Sequence, residues 1–323
     1  VQLSICPQPL YALARNQGRR AAFAAIRALG LTALELPVDR RSPLVELESA
    51  VAGEWRALKR DLDDHGLSLS AVSVHQDGQL LLGPHHRDTD GIHPGSPAEK
   101  VRYAQARIAL AGQLAEALGV TTLVGFMGCE DYSRWFPWPD PEGWERMQPV
   151  FVERCVPLLD QLWRRGVRFA QEPHPKQMVY NLETAQEALQ LLAGHPAYGF
   201  NLDPANLLLA GVDPVLFAQE LAPRILHVHA KDGEVVAHNQ RRSGLLAHGP
   251  WDRPERGFRF RIPGWGQVPW KGLISTLALG KYQGYLAIEN EDPVFEPRDG
   301  LEKAIAELSP LLPKAQRQEG QWW

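Results

Sequence analysis

Phe169-Ala-Gln-Glu172-Pro-His174, Gly199-Phe-Asn-Leu-Asp203, Ile225-Leu-His227-Val-His229-Ala-Lys231-Asp232 and Tyr285-Leu-Ala-Ile-Glu289-Asn-Glu291-Asp292 are built alike. Each is a short apolar run of the kind that forms a strand buried on both faces. Each ends in carboxylate or imidazole groups suited to a divalent metal. Four such ends converging on one point describe a barrel mouth with a metal in it. Taken singly, a strand-end carboxylate reads as a helix N-cap or a loop salt bridge. Four together do not, because unpaired buried carboxylates are costly.

Outward from these segments, apolar runs at 1–6, 32–37, 68–75 and 121–126 join 167–172, 198–203, 224–230 and 284–289 as candidate strands. Amphipathic periodicity predicts helices over 18–29, 46–66, 97–118, 143–165, 182–193, 214–221, 268–279 and 299–312. Eight strands, each followed by a helix, predict an α/β fold: a single (β/α)8 TIM barrel over 1–312 with a C-terminal tail at 313–323. Gly30, Gly66, Gly119 and Gly166 stand where left-handed helix caps are expected. No Pro/Gly/Ser-rich linker divides the chain.

Two connections are long, 76–96 after the third strand and 232–266 after the seventh. Both belong to the C-terminal face of a barrel, where active sites are built. They are expected to cover the site, together with Trp135-Phe136-Pro137-Trp138; an oligomer interface is the competing use. Trp322-Trp323 reads as an apolar tail that packs somewhere.

The composition narrows the partners. Of 323 residues, 44% are hydrophobic and 22% charged, enough for a substantial core. A net charge of −4 gives no general attraction to phosphate backbones or anionic lipid. Cys6, Cys129 and Cys155 are widely spaced, so neither a disulfide framework nor a thiolate zinc site is expected. No run approaches the ~18 apolar residues of a membrane span. The expectation is a cytoplasmic protein acting on a small molecule, with no nucleic acid or membrane partner and with a homo-oligomer allowed.

Glu172, Asp203, His229 and Glu289, one from each adjacent strand end, make a carboxylate–imidazole set for one divalent ion. Mn2+ is placed first, with Mg2+, Co2+ or Zn2+ as alternatives. His227 shares parity with His229 and is expected as a satisfied core histidine. His174 follows Pro173, where a strand turns into its loop, and suits a substrate contact. Lys231 continues the parity of 227 and 229 to substrate height, with a salt bridge to Asp232 as the competing reading. Glu291 and Asp292 read as loop-fixing acids. Pro263-Gly264-Trp265-Gly266-Gln267 lacks a third glycine in register and follows no strand directly, so it reads as a tight turn near the site and not a dinucleotide loop.

FAQEPHP (169–175), FNLDPANL (200–207), HVHAKD (227–232), RGFRFRIPGWG (256–266) and AIENEDP (287–293) resemble the xylose isomerase-like TIM-barrel family of sugar isomerases and epimerases. Endonuclease IV-type abasic-site nucleases share its superfamily. The resemblance runs over most of the chain, including DTDGIHPGS at 88–96. It implies that Glu172, Asp203, His229 and Glu289 hold a divalent metal. The chain departs from it at Asp203-Pro204-Ala205-Asn206, where the family commonly reads Asp-Pro-Ser-His. Asn206 can hydrogen-bond a hydroxyl but cannot act as an acid or base near neutral pH.

The implied enzyme is a metal-dependent sugar or keto-sugar isomerase or epimerase of carbohydrate metabolism. It would remove a proton next to a carbonyl and pass through a cis-enediolate, with Glu172 and Glu289 as the catalytic carboxylates. His75, His174, Asn206, Lys231, Arg256 and Arg261 are the candidates for substrate hydroxyls. A keto-sugar lyase or dehydratase would use the same parts. An abasic-site endonuclease would need a three-metal cluster, for which Glu35 and His75 are the only obvious extra ligands. A non-catalytic sugar-binding module is the remaining class. Which sugar is used, and whether it is phosphorylated, stays open.

Overall fold

The eight apolar runs pair side by side in the computed structural model, which describes residues 1–130 and 140–313. The barrel strands are β1 (Gln2–Ile5), β2 (Ala33–Pro37), β3 (Ser68–Val74), β4 (Thr122–Gly125), β5 (Arg168–Gln171), β6 (Tyr198–Leu202), β7 (Ile225–Ala230) and β10 (Tyr285–Ile288). β8 (Asp232–Val235) and β9 (Phe258–Arg261) form a separate antiparallel pair. The barrel ladder runs β1-β10-β7-β6-β5-β4-β3-β2, with every pairing parallel. β1 and β2, the two ends of the ladder, lie against each other without pairing, so the barrel is nearly closed. Parallel neighbours require a crossover, and the helices supply it.

Helix ends follow local chemistry. Pro97–Leu118 opens with a capping box between Ser96 and Glu99 and closes at Gly119, whose φ of 71° is left-handed. The main core fills the layer between strands and helices, with Phe23, Phe151, Phe169, Phe200 and Phe217 buried there. Each such ring contributes about 2–3 kcal/mol on leaving water.

The connection after β3 is tied down by Lys100. Its buried ammonium donates to the His86 carbonyl at 2.7 Å and to Thr89 at 2.9 Å, and pairs with Asp90 at 2.6 Å. The connection after β7 holds the β8–β9 pair and the helix Ala237–Ser243, neither of which the periodicity predicts. Two further short helices, Tyr11–Gln17 and Pro204–Leu209, are likewise unpredicted. The barrel extends through Pro297–Leu308 and a final turn, Ser309–Leu311. The aromatic cluster at 135–138 and the Trp322-Trp323 tail lie outside the described residues. Among the described residues, no helix is long and apolar enough to cross a membrane.

Candidate metal centre and substrate pocket

β5, β6, β7 and β10 are consecutive in the ladder, so the residues that follow or end them meet at one mouth. His229, near the end of β7, is the hub. Its Nε2 donates to Glu35 of β2 at 2.9 Å. An ionised carboxylate only accepts, so Nε2 carries hydrogen and Nδ1 is turned the other way. Nδ1 lies 3.0 Å from Glu172 and 3.2 Å from Glu289, an ion-pair contact with each. The Nε2 of His227 lies 3.1 Å from the same Glu35 oxygen, beneath His229, the structural place its parity predicts.

The carboxylates are individually positioned. Glu172 accepts from Asn201 at 2.9 Å and from Asn206 at 2.8 Å, and His75 Nε2 stands 3.3 Å away. Asp203 divides its two oxygens. Oδ1 caps the helix Pro204–Leu209 through the amides of Ala205 and Asn206, while Oδ2 faces Lys231 and Asn206. The N-cap reading of this residue holds, and its second oxygen stays turned to the mouth. Lys231 Nζ lies 2.9 Å from both Asp203 and Glu289, and 3.3 Å from Glu291.

Burial pushes every carboxyl here toward its neutral form, and the neighbours decide the outcome. Burial would raise Glu35 and Glu172, but imidazoles beside each hold both well below the usual carboxylate range. Glu289 is likewise opposed by burial, and Lys231 and His229 bring it down to about 2. Burial wins at Asp203, which rises to about 7 with Glu172 and Glu289 adding to it and Lys231 opposing. His174 falls to about 4, chiefly by burial, and is neutral.

The donor set fits a divalent cation. Asp203, His229 and Glu289 offer ligand atoms within 4.8 Å of one another, and so do His75, Glu172 and His229. Three carboxylates, Glu172, Asp203 and Glu289, crowd around His229 Nδ1 and Lys231 Nζ, and a bound divalent ion would offset their mutual repulsion. Burial opposes a charge on His229, but Cys6, Glu35, Glu172 and Glu289 around it raise its pKa well above the usual imidazole value. A cation at Nδ1 would take the place of that proton, with Glu35 holding the far nitrogen as partners of metal-ligating histidines do. Cys6, Glu35 and His229 form a third close group on the inner side.

A pocket of about 370 Å³ opens above the cluster. Of the expected substrate residues, His75, His174 and Lys231 line it. Asn206 does not; it is buried, bridging Glu172 and Asp203 through one amide nitrogen. Arg261 is held by Asp292 and Glu234, each at 2.8 Å, away from the pocket. Arg256 stacks on the Trp251 ring at 4.0 Å and donates to the Gly249 carbonyl. Asp292 is loop-fixing, taking the Ile262 and Val294 amides with its own flank. Lys231 does not pair with Asp232, which instead accepts from the Gly264 and Val268 amides and from Trp270. A Cβ at Gly266 would meet Asp232 Oδ1 at 2.1 Å, so the tight-turn reading of that glycine holds.

The 232–266 connection reaches the pocket through Trp251 and Phe260; of 76–96 only Gln76 does, among the described residues. The reading of the sequence passed over Asn201, Asp39, Trp251 and Phe260, and gave Glu35 only a marginal place. Asn201 had a signal, since it shares the parity of Asp203 two residues on. Glu35 meets its partners across the barrel, and Asp39 accepts from the His75 and Asp77 amides after the neighbouring strand. Trp251 and Phe260 pack within their own connection. Spacing along one strand reveals none of this.

A family model described as "Xylose isomerase-like TIM barrel" matches residues 23–311. Protein YfiH of Bacillus subtilis (strain 168) is 33% identical over 148 residues, 45% of this chain and 47% of that protein. An inosose dehydratase of Clostridium tetani (strain Massachusetts / E88) is 26% identical over 163 residues, 45% of this chain and 52% of its own. The matched segment thus spans about half the length of these curated relatives. Among solved structures, 3-keto-D-glucoside 4-epimerase from E. coli superposes with a TM-score of 0.64 at 15% identity, covering 94% of this chain and 98% of that one. The IOLI protein with a bound zinc atom gives 0.66 at 16% identity, covering 97% and 98%. These two likenesses show the shared fold.

Proposed function

The chain belongs to the xylose isomerase-like TIM-barrel family, and from that premise we propose that it is a divalent-metal-dependent isomerase or epimerase of a sugar or keto-sugar. One observation carries the reading most: His229 turns its Nδ1 to Glu172 at 3.0 Å and Glu289 at 3.2 Å while Glu35 holds its far nitrogen. Glu172, Asp203, His229 and Glu289 would hold the ion, and Mn2+ is the first candidate. Bound there, a divalent cation polarises a carbonyl and acidifies the neighbouring C–H.

The chain's own residues do the rest. Glu172 and Glu289 stand on either side of His229 Nδ1, both held ionised, so each can take a proton from a carbon in the pocket. Removal by one and return by the other to the same carbon inverts it; return to the neighbouring carbon moves the carbonyl. Asn201 and Asn206 hold both Glu172 oxygens, which fixes the angle at which the carboxylate meets substrate. His174, neutral and lining the pocket, is available to a hydroxyl.

Lys231 favours a second reading. An ammonium 2.9 Å from Glu289 can protonate a hydroxyl leaving from the carbon beyond the acidified one, which is dehydration. The likeness to an inosose dehydratase supports it.

The test uses the metal-loaded protein with a panel of keto-sugars in D2O. Deuterium incorporation into recovered substrate is expected, and Glu172→Gln and Glu289→Gln should each lower it at least about 100-fold, the scale of a lost general base. Near-normal exchange in either variant, or in chelator-treated protein, would sink the mechanism. Products that have lost water would select the dehydratase reading over the isomerase.

A further inference from the structure

We infer that the pocket selects a neutral six-membered ring, a cyclitol or pyranose-type keto-sugar, whose C–H face lies on Trp251. This rests on the sugar-transforming reading above and narrows its substrate.

Trp251 is 47% exposed and lines the pocket, with the Arg256 guanidinium 4.0 Å from its ring centre. A large apolar side chain left uncovered at a pocket mouth marks a contact surface. Arg256 is itself buried and donates to the carbonyls of His248 and Gly249, so the indole is braced from behind. Phe260 stands beside it, with ring centres 4.8 Å apart and planes inclined at 46°. Each ring carries a cation, Lys231 at 4.8 Å over Phe260 and Arg256 over Trp251, but Phe260 is buried and Trp251 is not, so of the two Trp251 is the open platform.

The wall is rigidly mounted. Phe260 pairs with Gly233 across the β8–β9 ladder, and a Cβ at 233 would strike the Phe258 ring at 2.6 Å. Phe258 and Phe260 pack on Ala205 and Leu209, in the helix that Asp203 caps. Aromatic wall and metal-ligand candidate therefore belong to one packed unit.

A cyclic polyol carries its hydroxyls around the rim and leaves C–H groups on its faces, which match an aromatic plane. An open-chain polyol exposes hydroxyls on every side and has no such face. The cavity, about 370 Å³, lies at the small end of ligand pockets and suits one ring. Charge argues against a phosphate. Asp39, Glu172, Glu289 and Glu291 all line the pocket. Lys231 is engaged by three acids, while Arg41 and Lys176 are exposed at the rim, where water weakens their pull.

The experiment is calorimetric titration of the Mn2+-loaded protein with myo-inositol, D-glucitol and myo-inositol 1-phosphate. The first two carry the same six hydroxyls, one closed and one open. Myo-inositol should bind at least tenfold more tightly than D-glucitol, and the phosphate should add nothing. Trp251→Ala should erase the ring preference, while Trp251→Phe keeps it within about threefold. Equal affinities for ring and chain, no binding of either, a tenfold gain from the phosphate, or an unchanged preference in Trp251→Ala would each overturn the inference. Polyol binding requires no turnover. A Mn2+ titration without substrate is read separately, so loss of metal binding defeats the function while a surviving ring preference stands.

Discussion

Glu35 shows what one buried residue contributes. It has no access to solvent, yet it stays ionised because two imidazole nitrogens converge on one of its oxygens. Its effect on function passes through His229, whose far nitrogen it fixes. Glu35→Gln keeps the shape but offers a weaker acceptor, or a donor in the wrong place. Metal affinity should fall about 10–100-fold, the usual effect of losing a partner behind a metal-bound histidine. Competition against a metal-chelating dye measures it; unchanged affinity would reduce Glu35 to packing. The four strand-end candidates were legible because each sits at the close of an apolar run. Glu35 lies inside its run, and nothing along β2 announces that His229, 194 residues away, needs it. Asn206 makes the same point. Its type was readable from the chain, but its place between Glu172 and Asp203 depends on two strands meeting.

At the scale of elements, the eight barrel strands could be read because their apolar runs are short and each is set between longer amphipathic stretches. The β8–β9 pair escaped because its strands are four residues each and 22 residues of chain separate them. Phe258-Arg-Phe-Arg261 does alternate, and that was the available signal. Asp232 joins this insertion to the barrel. Buried at the start of β8, it accepts from the Gly233, Gly264 and Val268 amides and from the Trp270 indole. Asp232→Ala strands four donors, and hydrogen bonds to a charged acceptor are worth about 1.5–3 kcal/mol each before relaxation and water recover part of it. A loss of about 3 kcal/mol is expected, seen as a lower urea midpoint at constant slope. A loss below about 1 kcal/mol would mean that the hairpin holds its turn without this residue. The same network explains why Lys231, its sequence neighbour, is free to serve Asp203 and Glu289.

For the whole molecule, the candidate ligands all come from one arc of the ladder, β10-β7-β6-β5, while the seam between β1 and β2 lacks pairing. A cation on that arc would cross-link four strands, and it would bind the folded barrel alone because the unfolded chain does not assemble the set. Folding and metal loading are then linked: free metal at 100 times its Kd stabilises by about 2.7 kcal/mol. For a chain of this size that corresponds to a rise in Tm of roughly 4 °C. Mn2+ should produce this rise and chelator should reverse it. Asp203→Asn and Glu289→Gln should abolish the response while still melting cooperatively. Hydrogen exchange should slow chiefly in β5, β6, β7 and β10, with β3, which pairs with none of the four, changing least. Equal melting with Mn2+ and with chelator would remove the metal from the account. A rise that persists in both variants would move the ion to a group without them, His75, Glu172 and His229 or Cys6, Glu35 and His229.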